Sequence, residues 1–308
     1  MPIKIQTGLP VREILENENL FVMDDFRALH QDIRPLKILI LNLMPLKEDT
    51  ELQLLRCLSN SPLQVDVTFM MVKSHHSKNT SMSHINKFYL SFDDVKDDYF
   101  DGMIITGAPV EDMEFEEVDY WAEVTQIMDW GESHVTSTMF QCWAAQAAFY
   151  HFYGIQKRQL SSKKFGIFEH TVRHRRVPLV RGFDDVFWAP HSRHTETGLD
   201  EIKARKEINI LASSEDAGFF LGMAEDGKKV FVQGHPEYDR MTLDKEYKRD
   251  LKKGLPIEIP FNYYPNDDPA KKPYLRWRAI SDCLYNNWLN YYVYQITPYE
   301  LNHDGQQG

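Results

Sequence analysis

The sequence predicts an α/β fold: a doubly wound, mostly parallel sheet with a helical extension at the C-terminus. Three observations carry this. The run KILILNL, Lys37 to Leu43, is almost continuously apolar, as in a strand covered on both faces. Strand and helix patterns alternate over the first 150 residues, the order that builds a parallel sheet with crossover helices. Finally, PYLRWRAISDCLYNNWLNYYVY, Pro273 to Tyr294, reads as one long aromatic-rich amphipathic helix.

Each element follows from its own residues. After the first strand, Glu48 to Leu58 opens with acids and repeats leucine at helical spacing, suiting a helix with a core-facing stripe. Val65 to Val72 is a second strand, Asp101 to Pro109 a third that ends in a Gly-Ala-Pro loop, and Val118 to Trp130 an amphipathic helix. From Val135 the chain is β-branched and then turns Ala-rich at Cys142, so this cysteine is expected at a strand-to-helix junction. The segments DVFWAP, INILAS, GFFLGMAEDGKKVFVQG and HPEY read as short strands, with Asp226-Gly227 a tight hairpin turn. The sheet is therefore expected to be mixed at one edge. A Pro- and Asp-containing loop precedes the C-terminal helix, which is expected to pack on the domain or on a partner subunit, the latter giving a homodimer. The organisation expected is a single domain over 1–308, with the α/β core over 35–255 and the loop and terminal helix over 256–308.

Composition narrows the function. Thirty-five basic against 46 acidic residues give a formal charge of −11, which disfavours nucleic acid and anionic membranes as partners. No apolar run approaches the roughly 20 residues of a membrane span, and the N-terminus lacks the pattern of a secretory signal, so a cytoplasmic address is expected. Cys57, Cys142 and Cys283 are too few and too scattered for a disulfide framework.

Of the three, only Cys142 has a nucleophile's setting. A thiol at a sharp strand-to-helix turn projects from the sheet edge, and the helix N-terminus favours its thiolate and offers backbone N–H groups to an oxyanion. Ala144 and Ala145 supply small residues near the turn, whereas Phe140 does not. His235 ends the strand KKVFVQG and is a candidate base; Glu237, two residues on, would lie on the same side of an extended strand and orient the imidazole. Cys57 and Cys283 fall on amphipathic helices and read as small buried hydrophobes. His170 with His174, His191 with His194, and His75 with His76 are close enough in sequence to raise a metal site, but no cysteine or acidic cluster accompanies them, so no metal is expected. Lys47 after LMPL reads equally as a lysine lining the acyl or oxyanion region and as a solvated lysine capping a strand end, and is assigned no role.

Gly107 to Pro109, FQCWAAQ around Cys142 and GHPE around His235 resemble, in order and spacing, the active-site blocks of class I glutamine amidotransferases. Over nearly the whole chain, including LNLMPLK, GAPVE, STMFQCWAAQAA, KKFGIFEH, PHSRHTE and QGHPEYD, the sequence more closely resembles the homoserine O-acyltransferases of methionine biosynthesis. That resemblance implies a flavodoxin-like, amidotransferase-like sheet and an acyl-thioester on Cys142, with His235 as base and Glu237 as its partner. It implies L-homoserine as acceptor, acyl-CoA as donor and no bound cofactor, in the first committed step of the pathway. Lys163, Ser192 and Arg249 match the family's substrate-contacting residues, and Glu111 the position that separates acetyl-CoA from succinyl-CoA users. Glutamate there implies acetyl-CoA, since a carboxylate would fill space and repel a succinyl group. A succinyltransferase and a glutaminase-type cysteine hydrolase are the alternatives; Phe140 and Ala144 depart from the latter's pattern.

Overall fold

The computed structural model describes residues 3–18, 22–23, 34–74 and 80–297. Among these, the strands are β1 (Ile3–Lys4), β2 (Val22–Met23), β3 (Leu36–Leu41), β4 (Val65–Met70), β5 (Tyr89–Leu90), β6 (Phe100–Ile105), β7 (Val135–Gln141), β8 (Lys157–Val172), β9 (Val186–Thr197), β10 (Ile208–Ser214), β11 (Gly218–Ala224) and β12 (Lys229–Val232). The α-helices are α1 (Val11–Asn17), α2 (Lys47–Ser59), α3 (Met82–Phe88), α4 (Phe92–Val95), α5 (Trp121–His134), α6 (Trp143–Tyr153), α7 (Leu199–Lys203), α8 (Thr242–Lys252) and α9 (Arg278–Asn287).

The strands form one sheet in the order β2-β1-β4-β3-β6-β7-β12-β11-β10-β8-β9, with β5 beside β4. The stretch β4-β3-β6-β7-β12 is parallel throughout, in the flavodoxin-like order 2-1-3-4-5. From β12 onward every pairing is antiparallel, which gives the mixed edge read from the sequence. The expected Asp226-Gly227 hairpin joins β11 to β12 through one short 3₁₀ turn, with Asp226 in the left-handed region at φ 53°.

Two apolar layers cover the parallel strands. One face buries Leu54, Leu55 and Leu58 of α2 with Leu284, Trp288 and Leu289 of the C-terminal segment. The other buries Val124, Ile127 and Met128 of α5 with the alanines and Phe149 of α6. The terminal helix thus spends its apolar side on its own domain. Expected to run unbroken from Pro273 to Tyr294, it begins at Arg278 and widens into a π-helical stretch over Trp288–Tyr294.

Two further expectations need correction. HPEY is not a strand: β12 ends at Val232, and Tyr238 N–H donates to the His235 carbonyl at 3.1 Å, closing a turn. Proline has no N–H for a ladder, and the turn takes over the donor of Tyr238. The second concerns Lys157–Val172 and Val186–Thr197, which form one long hairpin where the sequence suggested only the short DVFWAP strand. Exposed polar residues alternate irregularly along β8, so no period-2 signal marks it.

Candidate active site

Strand register brings the chemistry together. Ile105 pairs with Phe140 across β6 and β7, and Gln141 with Val232 across β7 and β12, so three neighbouring parallel strands end nearly level. Gly107, Cys142 and His235 lie just beyond these three ends, at the C-terminal sheet edge where ligands collect in this topology. Cys142 N–H donates to the Val232 carbonyl at 2.7 Å, tying the nucleophile's backbone to the strand that carries the base.

Cys142 has φ 50° and ψ −114°, a conformation that non-glycine residues rarely adopt and that marks a strained nucleophile elbow. The strain aims the thiol out of the sheet edge, while Phe140 turns into the core and stacks on Phe231. Hydrogen bonding within α6 begins with Ala145 N–H to the Cys142 carbonyl at 3.0 Å, which leaves the earlier Trp143 N–H directed at the helix entrance. Close approach explains the neighbouring glycine: a Cβ on Gly107 would lie 3.1 Å from that of Cys142.

His235 Nδ1 sits 2.8 Å from Glu237 Oε1, and both side chains are buried. The turn, not strand alternation, produces this contact. Burial disfavours the imidazolium, but the Cys142 sulfur and the Glu237 carboxylate outweigh it and hold His235 well above its usual pKa. Tyr238 stacks on the imidazole with ring centres 4.1 Å apart. Glu237 is thus no surface acid, and Cys142, His235 and Glu237 lie together as the sequence suggested. Of the other thiols, burial pushes Cys57 up to about 12 and raises Cys283.

Lys163, Ser192 and Arg249 also converge, on a residue that sequence reasoning did not select. Lys163 Nζ and Ser192 Oγ reach Glu246 Oε1 at 2.5 and 2.8 Å, and Arg249 Nη2 lies 3.7 Å from the same oxygen. Arg249 chelates Asp250 with Nε to Oδ1 at 2.6 Å and Nη2 to Oδ2 at 2.9 Å. The Arg249 guanidinium fork, whose geometry would suit a ligand carboxylate, is therefore engaged by a protein carboxylate. The missed signal was the i, i+3, i+4 spacing of Glu246, Arg249 and Asp250 on α8.

Glu111, on the loop that follows Gly107, is half-buried and pinned. Its Oε2 accepts from the backbone N–H groups of His194 at 2.7 Å and Thr195 at 3.2 Å, both on β9. Lys157 grips the same loop through the Glu111 carbonyl.

Comparison with known proteins places the chain in a family. A family model described as homoserine O-succinyltransferase matches residues 2–299. The chain belongs to that family. Among curated relatives, homoserine O-acetyltransferases of Lachnoclostridium phytofermentans and Agathobacter rectalis are 64% and 63% identical, covering 98% of this chain and 100% and 97% of theirs. One from Bacteroides fragilis is 56% identical over 98% of this chain and 99% of its own. In fold, a glutamine amidotransferase from Thermotoga maritima superposes with a TM-score of 0.56 at 13% identity, covering 85% of this chain and 99% of that one. Another, from Methylobacillus flagellatus, gives 0.54 at 10% identity, covering 90% and 100%. The amidotransferase-like sheet of this acyltransferase family is thus present in the chain.

The remaining sequence candidates resolve individually. Lys47 is buried, its Nζ donating to the Asn42 carbonyl at 2.6 Å, and burial lowers its pKa to about 8 despite nearby Glu51. It closes the end of β3 from inside. His170 lies on a strand, so its i, i+4 relation to His174 does not place both on one helix face; it pairs instead with His191, Nε2 to Nε2 at 2.9 Å. Burial lowers both of these imidazoles, His170 to about 3. His75 and His76 lie outside the described residues. Among the described residues no three His, Cys, Asp or Glu side chains are grouped to hold a metal, and no helix is long and apolar enough to cross a membrane.

Proposed function

We propose that this chain is a cytoplasmic homoserine O-acetyltransferase, a single domain that moves an acetyl group from acetyl-CoA to L-homoserine through Cys142, without a bound cofactor. The names of relatives more than half identical along almost the whole chain support the reaction. The observation that carries the acetyl assignment is Glu111: its carboxylate is fixed by β9, four residues after the glycine that abuts Cys142, and in this reading it meets the carboxylate end of a succinyl chain.

In this reading Cys142 Sγ attacks the thioester carbonyl of acetyl-CoA, and the Trp143 N–H faces the oxyanion. Collapse breaks the carbon–sulfur bond to CoA, and the departing thiolate takes the proton held on His235. Acylation neutralises the Cys142 sulfur, removing one of the charges that raise His235, so the imidazole is released to act as base. It then takes the homoserine hydroxyl proton as that oxygen attacks the acyl-enzyme carbonyl, and Cys142 leaves as thiolate. Glu237 orients the imidazole throughout, as in other nucleophile-base-acid triads.

The two half-reactions should have opposite pH dependence. Acyl-enzyme formation should fall as pH rises through the elevated His235 pKa, because the proton for the leaving thiolate is lost. Transfer to homoserine should fall at acidic pH, where the acylated enzyme's imidazole is protonated. Rapid-mixing measurement of each half-reaction across pH checks this; limbs of the same sign would contradict the acid-to-base switch.

In this reading homoserine binds at the cluster around Glu246. Lys163 and Arg249 suit the amino acid's carboxylate, and Glu246 its ammonium. Loss of a hydrogen bond to a charged group costs about 1.5–3 kcal/mol, so Glu246→Gln should raise the homoserine KM about 10- to 100-fold while acyl-enzyme formation stays normal. An unchanged homoserine KM would remove Glu246 from the acceptor pocket. Steady-state assay of the wild type with acetyl-CoA, succinyl-CoA and glutamine tests the assignment: acetyl transfer should dominate, and dominant succinyl transfer or glutamine hydrolysis would overturn it.

A further inference from the structure

The C-terminal segment approaches the active centre from behind at several points. Trp277, just before α9, donates its indole N–H to the carbonyl of Tyr238 at 2.8 Å, and Tyr238 is the ring stacked on His235. One turn into α9, Ser281 Oγ lies 3.3 Å from Cys57 Sγ. Further on, the fully buried Tyr285 accepts a hydrogen bond at its hydroxyl from Gln141 Nε2, the side chain directly preceding Cys142.

These contacts surround polar atoms in need of partners. Glu237 Oε1 is used by His235, but the buried Oε2 meets no protein donor, and neither amide atom of Gln233 nor Nη1 of Arg278 has a partner among the described residues. A buried carboxylate oxygen without a donor is costly, and native interiors rarely leave one. Tyr285 accepts from Gln141 and therefore still has its own hydroxyl proton to give.

We propose that Tyr285 is a positioning residue for the reaction: its hydroxyl proton serves Glu237 Oε2 across one ordered water, so one side chain of the C-terminal helix holds both the nucleophile strand and the orienting carboxylate. Electrostatics agree with this placement. Tyr285 is held well above the usual phenol range first by burial and then by the charge of Glu237, and Cys57 beside it senses both Arg278 and Glu237. The inference rests on the triad reading of Cys142, His235 and Glu237.

A double-mutant cycle on the full-length enzyme tests it. Tyr285→Phe removes only the hydroxyl and should lower kcat about tenfold, as expected for a lost hydrogen bond to a charged group, with both KM values little changed. A less well-held Glu237 supports the imidazolium less, so the acid limb of transfer to homoserine should move to lower pH. In a Glu237→Gln background the same substitution should cost almost nothing more. Trp288→Phe is the structural control: it removes a buried bond to Ser137 Oγ, 2.9 Å, on the same segment, and should leave the pH limb in place. Wild-type kcat in Tyr285→Phe, a fall without a shift of the limb, or additive losses in the double variant would each overturn the proposal. Wild-type turnover in Glu237→Gln would instead sink the triad reading.

Discussion

Cys142→Ala is expected to abolish acyl-enzyme formation, whereas Cys57→Ala and Cys283→Ala should still trap the acetyl group. Loss of the nucleophile in a triad enzyme costs on the order of 10⁶-fold in kcat. The contrast follows from placement. Cys142 sits at φ 50° on the elbow, its backbone tied to the strand end that leads to His235. Cys57 is buried against Ser281 with its thiol pushed up to about 12, and burial raises Cys283 as well, so neither supplies a thiolate near neutral pH. Radiolabelled acetyl-CoA without acceptor, followed by denaturing capture of the protein, reads this directly. Label retained by Cys142→Ala would place the acyl group elsewhere.

Donor choice should turn on residue 111, by a smaller but still large factor. Two unit charges about 4 Å apart interact by about 4 kcal/mol at an effective dielectric of 20, which corresponds to several hundredfold in kcat/KM. The backbone N–H groups of His194 and Thr195 fix the Glu111 carboxylate, so it cannot simply swing away from an anionic donor. Glu111→Gly should therefore shift preference from acetyl-CoA toward succinyl-CoA by removing both bulk and charge. Glu111→Gln keeps the bulk and should recover only part of the succinyl activity, which separates the two effects. Steady-state assays of all three proteins with both donors at saturating homoserine decide it. A donor ratio unchanged in Glu111→Gly would mean that residue 111 does not line the acyl pocket.

The parallel half of the fold was legible because its strands are buried on both faces and announce themselves as apolar runs, and because the Ala-rich turn at Cys142 has a local signature. The β8–β9 hairpin escaped notice because its polar, partly exposed residues give no period. HPEY was misread as a strand because alternation and a turn place residues two apart on one side equally well; the Tyr238 N–H bond that decides between them is a tertiary detail. Lys163, Ser192 and Arg249 were reached only through family resemblance, since a lone lysine, serine or arginine has no pattern. Their common partner Glu246 became visible only when α8 was laid against the β8–β9 hairpin. The role proposed for Tyr285 depends on a contact spanning 144 residues, which no local pattern encodes.

The claim that Cys142 carries an acetyl group between donor and acceptor is tested most directly by intact-protein mass spectrometry. Wild-type enzyme would be mixed with acetyl-CoA or succinyl-CoA in the absence of homoserine, with peptide mapping of any adduct. The expected result is one acetyl group on the Cys142 peptide, discharged when homoserine is added, and little succinyl adduct. Absence of any adduct, an adduct on another residue, or preferential succinylation would contradict it.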